Sequence, residues 1–234
     1  AAQPGRQPSK PGPRGMAPSP KVQLPAVPAD APAYWAQACQ HLVKKDRVMR
    51  RLIPQMGSAA LTSRGDPFIT LARSIVGQQV SVKAAASIWK RLEALPPAME
   101  PQHLQRLSVE EMRGAGLSAR KVDYLLDLST HFIEGRLRPD RWPEMDDEAI
   151  ITELTAIRGV GRWTAQMCLM FYLQRPNVLP LDDVGLIKGI SECYFSGDPV
   201  SRSDAREVAE AWKPWATVAT WYIWRSLDPQ PVAY

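Results

Sequence analysis

The chain has 234 residues, of which 45% are hydrophobic and 23% charged, and carries a formal net charge of +5. That length and apolar content are enough for a packed core in one domain or two small ones. No run approaches the roughly 18 apolar residues of a membrane span, and the N-terminus is proline-rich instead of apolar. Neither a bilayer anchor nor a secretory signal is legible, so residence in the cytosol is expected, or in the nucleus of a eukaryotic source. Cys39, Cys168 and Cys193 are odd in number and lie in no CxxC or Cys–His ligand spacing. They read as reduced, apolar side chains, and no metal site is expected.

Net charge alone does not argue for a nucleic-acid partner. Arg6, Lys10, Arg14 and Lys21 precede the first acid, Asp30, and leave only +1 for everything after them. Residues 1–33 hold nine prolines and almost no large apolar side chains, a composition that cannot offset chain entropy by burial and that predicts a disordered basic tail. From residue 34 the pattern turns helical and stays so to residue 234. In YWAQACQHLVKKDRVMRRLI, Trp35, Cys39, Leu42, Val43 and Val48 share one face; in DPFITLARSIVGQQV, Phe68, Leu71, Ala72 and Ile75 do the same. Asp66 before Pro67 reads as an N-cap followed by proline at the first helical position.

Further helices are expected at about 80–94, 101–107, 108–114, 118–135, 146–157, 162–174, 184–195, 203–213 and 215–227. Ser118 opens one whose stripe is Val122, Leu125, Leu126, Ser129 and Phe132; Val184, Ile187, Ile190 and Tyr194 mark another. No period-two strand and no tandem repeat is evident, and the class expected is all-α, a helical bundle of one or two lobes.

Residues 147–175 read as helix, glycine turn, helix. Gly159 and Gly161 let the backbone turn sharply, and the unpaired amides at the start of the next helix form a seat for an anion such as a DNA phosphate. Backbone amides would hold a duplex without basic side chains, which suits a core of low net charge. The same glycines also serve a plain interhelical turn. Downstream, Pro180 ends a loop and Asp182 and Asp183 stand at the start of a helix. There the dipole and free amides favour an ionised carboxylate, suited to a nucleophile or an electrostatic stabiliser, although aspartates also cap helices routinely.

Four segments carry a resemblance: IVGQQVSVKAA, GLSARKVDYL, IRGVGRWTA and PLDDVGLIKG, in that order. From about residue 35 to the C-terminus the chain resembles the helix-hairpin-helix DNA glycosylase superfamily, and within it the 3-methyladenine DNA glycosylase II group, which removes alkylated bases. The resemblance implies a two-lobed helical fold with the active-site cleft between the lobes and double-stranded DNA with damaged bases as partner, acted on by a monomer.

It implies Asp183 as the catalytic acid, with Asp182 as its helix-capping neighbour. Trp163, Met167 and Trp224 would line the base pocket. Gly159, Val160, Gly161 and Thr164 of the hairpin would contact DNA, and Gln79 would plug the gap left by an extruded base; both Gln78 and Gln79 also read as residues that cap a helix end and satisfy nearby backbone groups, Gln78 above all. In relatives that also cleave the backbone, a lysine nucleophile stands directly before the Thr-Ala of the hairpin. Here that position is Trp163, an electron-rich wall without an amine.

Aromatic residues at helical spacing are also core, which leaves Trp224 and Trp221 open between the two readings, and Ala216 stands where many relatives have an arginine. No iron–sulfur cluster is expected, because only Cys193 follows Asp183, and no cofactor is required; some relatives place a monovalent cation on carbonyls near Gly159 and Gly161. No counterpart of the N-terminal mixed sheet domain of larger bacterial members is expected in these 234 residues.

A purine alkylated at a ring nitrogen is cationic and already a good leaving group, so one ionised carboxylate beneath the sugar can suffice, unlike the two-carboxylate arrangement of ordinary glycosidases. Aromatic faces add cation–π attraction of about 0.5–2 kcal/mol. Competing readings are a glycosylase for uracil, mismatched or oxidised bases, a non-catalytic DNA-binding hairpin module, and a helical interaction protein.

Overall fold

The computed structural model describes residues 22–63 and 65–228. Among them every regular element is helical. Two helices open the fold, α1 (Trp35–Lys45) and α2 (Arg47–Gln55). Next come α3 (Pro67–Gly77), α4 (Val82–Glu93), the short α5 (Pro101–Leu104) and α6 (Val109–Gly114), and α7 (Ala119–Ile133). After a 3-10 turn at Pro139–Glu144 follow α8 (Asp147–Thr155), α9 (Arg162–Phe171), α10 (Val184–Tyr194) and α11 (Arg202–Ala209). A second 3-10 turn, Glu210–Trp212, leads to α12 (Ala216–Leu227).

Local chemistry sets many of these boundaries. Asp66 accepts from the Ile69 amide at 2.8 Å with Pro67 at the first helical position, Asp146 caps α8 at Ala149, and Ser118 caps α7 at Lys121. Ser108 and Glu111 form a reciprocal capping box on α6.

The continuous helix expected over 34–53 is two helices instead. The break is Asp46, in extended conformation, whose Oδ1 accepts from the Met49 amide at 2.9 Å. Its Oδ2 accepts from Tyr194 Oη at 2.8 Å and Trp212 Nε1 at 3.2 Å. A buried carboxylate needs such partners, and they stand far along the chain, out of reach of local pattern. The 203–213 segment likewise divides into α11 and a 3-10 turn, and the 3-10 turn at Pro139–Glu144 falls where no element was expected.

The helices form two packed groups. In one, α3 packs on α4, α7 and α9, α7 on α5 and α6, and α8 on α9; in the other, α12 packs on α10, α1 and α2. Cross-ties join them: Tyr34 Oη donates to the Gln174 carbonyl, and Val178 N donates to Thr217 Oγ1. One apolar core runs through both groups, from Leu42, Leu71 and Ile75 to Leu125, Leu169, Ile190 and Ile223. Trp221 and Tyr222 belong to it: Trp221 meets Trp35 edge-on, and Tyr222 accepts from Trp35 Nε1.

Most of the tail expected at 1–33 lies outside the described residues. Its last part, 22–33, has no helix, but Leu24 and Ala31 pack against the core. Among the described residues no helix is long and apolar enough to cross a membrane.

Candidate active site

Between the two groups lies a cavity of about 540 Å³. The end of α3 and the start of α4 (Gly77–Val82) form one side, Trp163 of α9 contributes its ring, and Asp182–Gly185 with Trp224 and Leu227 form the other. Asp183, Trp163, Trp224 and Gln79, separated by up to 145 positions in sequence, therefore meet in one place.

Asp183 is itself the N-cap of α10. Its Oδ2 accepts from the Leu186 amide at 3.3 Å and from Trp224 Nε1 at 2.9 Å, and the Trp163 side chain also bonds the carboxyl. The division of labour expected for the acid pair is thus wrong in detail. The cap is Asp183, whereas Asp182 turns outward to an ion pair with Arg202 at 2.7 Å. The expected electrostatic balance is reversed as well. Asp183 is 8% exposed, and burial pushes its carboxyl above the ordinary carboxylate range, although the bonds from Trp224, Leu186, Trp163 and Gly185 pull the other way.

Trp224 is 5% exposed and stacks on Phe171, with ring centroids 6.0 Å apart and planes 7° from parallel. It touches the cavity with its edge and works there as a donor to the acid. Trp163 is half-buried and is the less buried of the two tryptophans that line the cavity. Met167 does not reach the cavity: it is fully buried within α9. The four-residue spacing from Trp163 put both on one face, but α9 is buried from Thr164 to Phe171, and that face leads into the core. Val184, expected on the buried stripe of α10, is instead 81% exposed at the cavity's rim.

The hairpin forms an adjacent open groove, lined by Thr155–Gly161, Trp163, Thr164, Gln78 and Tyr124. Gly159 has a φ of +82°, and its missing side chain admits the Tyr124 ring. Gly161 caps α9 without a side chain, leaving first-turn amides to a ligand. Val160 and Thr164, expected to touch DNA, turn their side chains inward. They are 4% and 1% exposed, the Val160 amide donates to the Ile157 carbonyl, and Thr164 Oγ1 accepts from Gln78 Nε2 at 3.0 Å.

Gln78 is the C-cap of α3, its amide donating to the Ile75 carbonyl, and its side chain also donates to the Gly159 carbonyl at 2.9 Å, which ties the end of α3 to the hairpin. Gln79 is exposed and has a φ of +56°, uncommon for a residue with a side chain and enriched at working sites.

For a monovalent cation the hairpin offers carbonyls already in use. That of Gly159 accepts from Gln78, and that of Gly161 from the Ala165 amide. Each bond uses one of the carbonyl's two lone pairs, so both oxygens keep a position from which a cation could be held. Cys39 and Cys168 are buried and Cys193 is partly exposed beside Ser226.

An all-helical fold with a glycine hairpin beside a cavity that holds one buried acid and two tryptophans defines a class, the helix-hairpin-helix repair fold. Residues 72–216 match the family described as HhH-GPD superfamily base excision DNA repair protein, and the chain belongs to that family. It is similar to DNA-3-methyladenine glycosylase 1 of Schizosaccharomyces pombe, 30% identical over 193 residues, 80% of this chain and 85% of that protein.

Among solved structures, the S. pombe 3-methyladenine DNA glycosylase in complex with abasic DNA superposes with a TM-score of 0.77 at 29% identity, covering 81% of this chain and 96% of that one. A DNA-3-methyladenine glycosidase from Bacillus halodurans gives 0.69 at 36% identity, covering 82% and 89%.

Proposed function

We propose that this protein is a monofunctional DNA glycosylase that flips alkylated purines of the 3-methyladenine and 7-methylguanine type out of duplex DNA and hydrolyses their N-glycosidic bond. The observation that carries this reading is that the Asp183 carboxyl and the Trp163 ring share one cavity of about 540 Å³, with tryptophan where a backbone-cleaving relative has its amine. The names of the similar proteins and the abasic-DNA complex of one of them support it.

The hairpin amides and the Gly161 terminus of α9 take a phosphate and set the strand over the cavity. The extruded cationic base lies against Trp163, where the electron-rich face attracts it. As the C1′–N bond breaks, its electron pair goes to the base, which leaves neutral. The positive charge passes to the sugar, where Asp183 faces it.

Burial makes that charge–charge attraction stronger than it would be in water, and the positive charge counters the desolvation that raises the free acid. A water then adds to C1′ and gives up a proton, leaving an abasic site in an intact strand. No amine is available at position 163 to form a Schiff base, so strand cleavage is not part of the reaction. No cofactor enters any step, and the protein works as a monomer alongside the chromosome, in cytoplasm or nucleus.

The test is a duplex methylated to carry 3-methyladenine and 7-methylguanine, assayed for released bases and for strand breaks before and after alkali. Release by the native protein, breaks only after alkali, and loss of release in Asp183→Asn are expected. Wild-type release by Asp183→Asn would overturn the mechanism. Binding to abasic DNA with no release from any lesion would return the chain to a DNA-binding hairpin module.

A further inference from the structure

Lys121, in the first turn of α7, takes no part in the chemistry above. Its ammonium reaches across 45 positions of sequence to donate to the Val76 carbonyl at 2.7 Å and across 43 to the Gln78 carbonyl at 2.8 Å. Those carbonyls stand at the C-terminus of α3, where the helix leaves acceptors unpaired and where a cation is favoured by the dipole. The site is partly desolvated, which lowers the lysine's pKa. A charge is being held there at some cost, and the two carbonyls are what it serves.

The residue after these carbonyls is Gln79, exposed and in the left-handed region. Its neighbour Gln78 is held twice, by Lys121 at the main-chain carbonyl and by Gly159 and Thr164 at the side-chain amide. One turn further along α7, Tyr124 lies against Gly159. A single helix thus braces both loops that border the cavity, the Gln79 loop through Lys121 and the hairpin through Tyr124.

We propose that Lys121 is a positioning residue for base extrusion: by clamping the carbonyls that precede Gln79 it presets the loop whose side chain fills the gap in the base stack. This rests on the glycosylase reading and on Gln79 as the plug. A plug matters only where there is a stack to fill, so the effect is specific to duplex substrate. Without the clamp, Gln79 relaxes from its left-handed conformation and must be ordered again each time a base leaves the helix.

The experiment compares Lys121→Met, Lys121→Arg and Gln79→Ala with the native protein. Single-turnover release of 7-methylguanine is measured from a duplex and from the same strand alone, and deuterium exchange of amides 78–81 is measured in the free protein. Lys121→Met is expected to slow release from duplex by roughly tenfold or more, the effect of losing hydrogen bonds to a charged group. Release from single strands should change less than about twofold, the pattern Gln79→Ala should also give, because neither residue acts without a stack. Lys121→Arg should restore most of the duplex rate, and exchange at 78–81 should rise in the methionine variant only.

Equal slowing on both substrates, or unchanged exchange at 78–81, would overturn the proposal. Should Lys121→Met fail to fold, Lys121→Gln, which keeps an uncharged amide but loses the charge and the reach to the two carbonyls, must give the same duplex-selective loss. If the native protein releases no base from either substrate, the glycosylase reading has failed, while the exchange measurement still decides whether Lys121 orders the loop.

Discussion

Trp224 Nε1 donates to Asp183 Oδ2 at 2.9 Å, and Gly185 lies against the pair: a Cβ there would stand 3.4 Å from both Asp183 Oδ2 and Trp224 Cδ1, at ordinary contact distance. The bond stabilises the ionised acid against the desolvation that raises its pKa. Trp224→Phe keeps the ring on Phe171 and removes the donor. The acidic limb of the pH–rate profile should then move to higher pH, and the plateau rate should fall by about tenfold, as expected for a lost bond to a charged group. Single-turnover rates between pH 4 and 9 (roughly the range that brackets a raised carboxyl) check this; an unmoved acidic limb would show that the bond does not tune the acid.

Asp183 also couples activity to stability with opposite signs. Its folded pKa lies above the value of a free carboxyl. The stability it contributes is therefore fully present below the unfolded pKa and is lost as pH rises through the folded one. Asp183→Asn fixes the neutral form, and its amide oxygen can still accept from Trp224. The variant should lose about 10²–10³-fold or more in excision rate and melt higher than the native protein at neutral pH, an advantage that fades on acidification. Melting curves across that range test the sign.

Much of this site was legible before any coordinates. The Gly159–Gly161 hairpin and the acid pair at a helix start are local patterns, the family resemblance singled out Asp183 and Trp163, and helix starts such as Asp66–Pro67 follow from capping chemistry. What sequence could not give are partners remote along the chain. Asp46 breaks a helix because Tyr194 and Trp212 wait for its carboxylate, and Lys121 serves carbonyls on another helix. Helical spacing placed Met167 beside Trp163 correctly, yet spacing names a face and not what the face meets. For Trp224 the spacing left core and pocket open. It is largely core, with one polar edge turned to the acid.

The placement of Met167 has its own consequence. As a fully buried core side chain, its truncation to alanine should cost about 2–5 kcal/mol of stability through the cavity left behind. The ratio of 3-methyladenine to 7-methylguanine release should stay unchanged, since nothing at the pocket surface is altered. Denaturant unfolding with release assays on both lesions separates the two effects; a changed ratio with native stability would put Met167 back in the pocket.

Gly159 is held by two constraints that mutation can separate. Its φ of +82° disfavours any side chain, and a Cβ would collide with the Tyr124 ring. Gly159→Ala should destabilise the hairpin by about 1–2 kcal/mol from backbone conformation alone, and by more from the collision. Adding Tyr124→Ala should return the steric part but not the conformational part. Duplex affinity should follow the same order, measured by titration of an abasic duplex; full rescue by Tyr124→Ala would show that the backbone conformation costs nothing.

The geometry joining acid and indole depends finally on how closely α10 and α12 cross. Asp183 opens α10 and Trp224 lies on α12, so the distance between these helices sets the distance between the two groups. The crossing is made close by Gly189, where an added methyl would collide with Ile223 Cγ2. Gly189 has an ordinary helical backbone, so alanine there brings no conformational penalty, only volume. Overpacking of this kind costs about 1–3 kcal/mol and pushes the helices apart.

Gly189→Ala should therefore lose stability and, with Trp224 drawn off the carboxylate, show the same upward shift of the acidic limb as Trp224→Phe. Ile223→Ala in the same chain makes room for the methyl and should bring the pH profile back toward native even where stability is only partly restored. An acidic limb that stays shifted after the relief mutation would mean that the crossing distance does not control the acid.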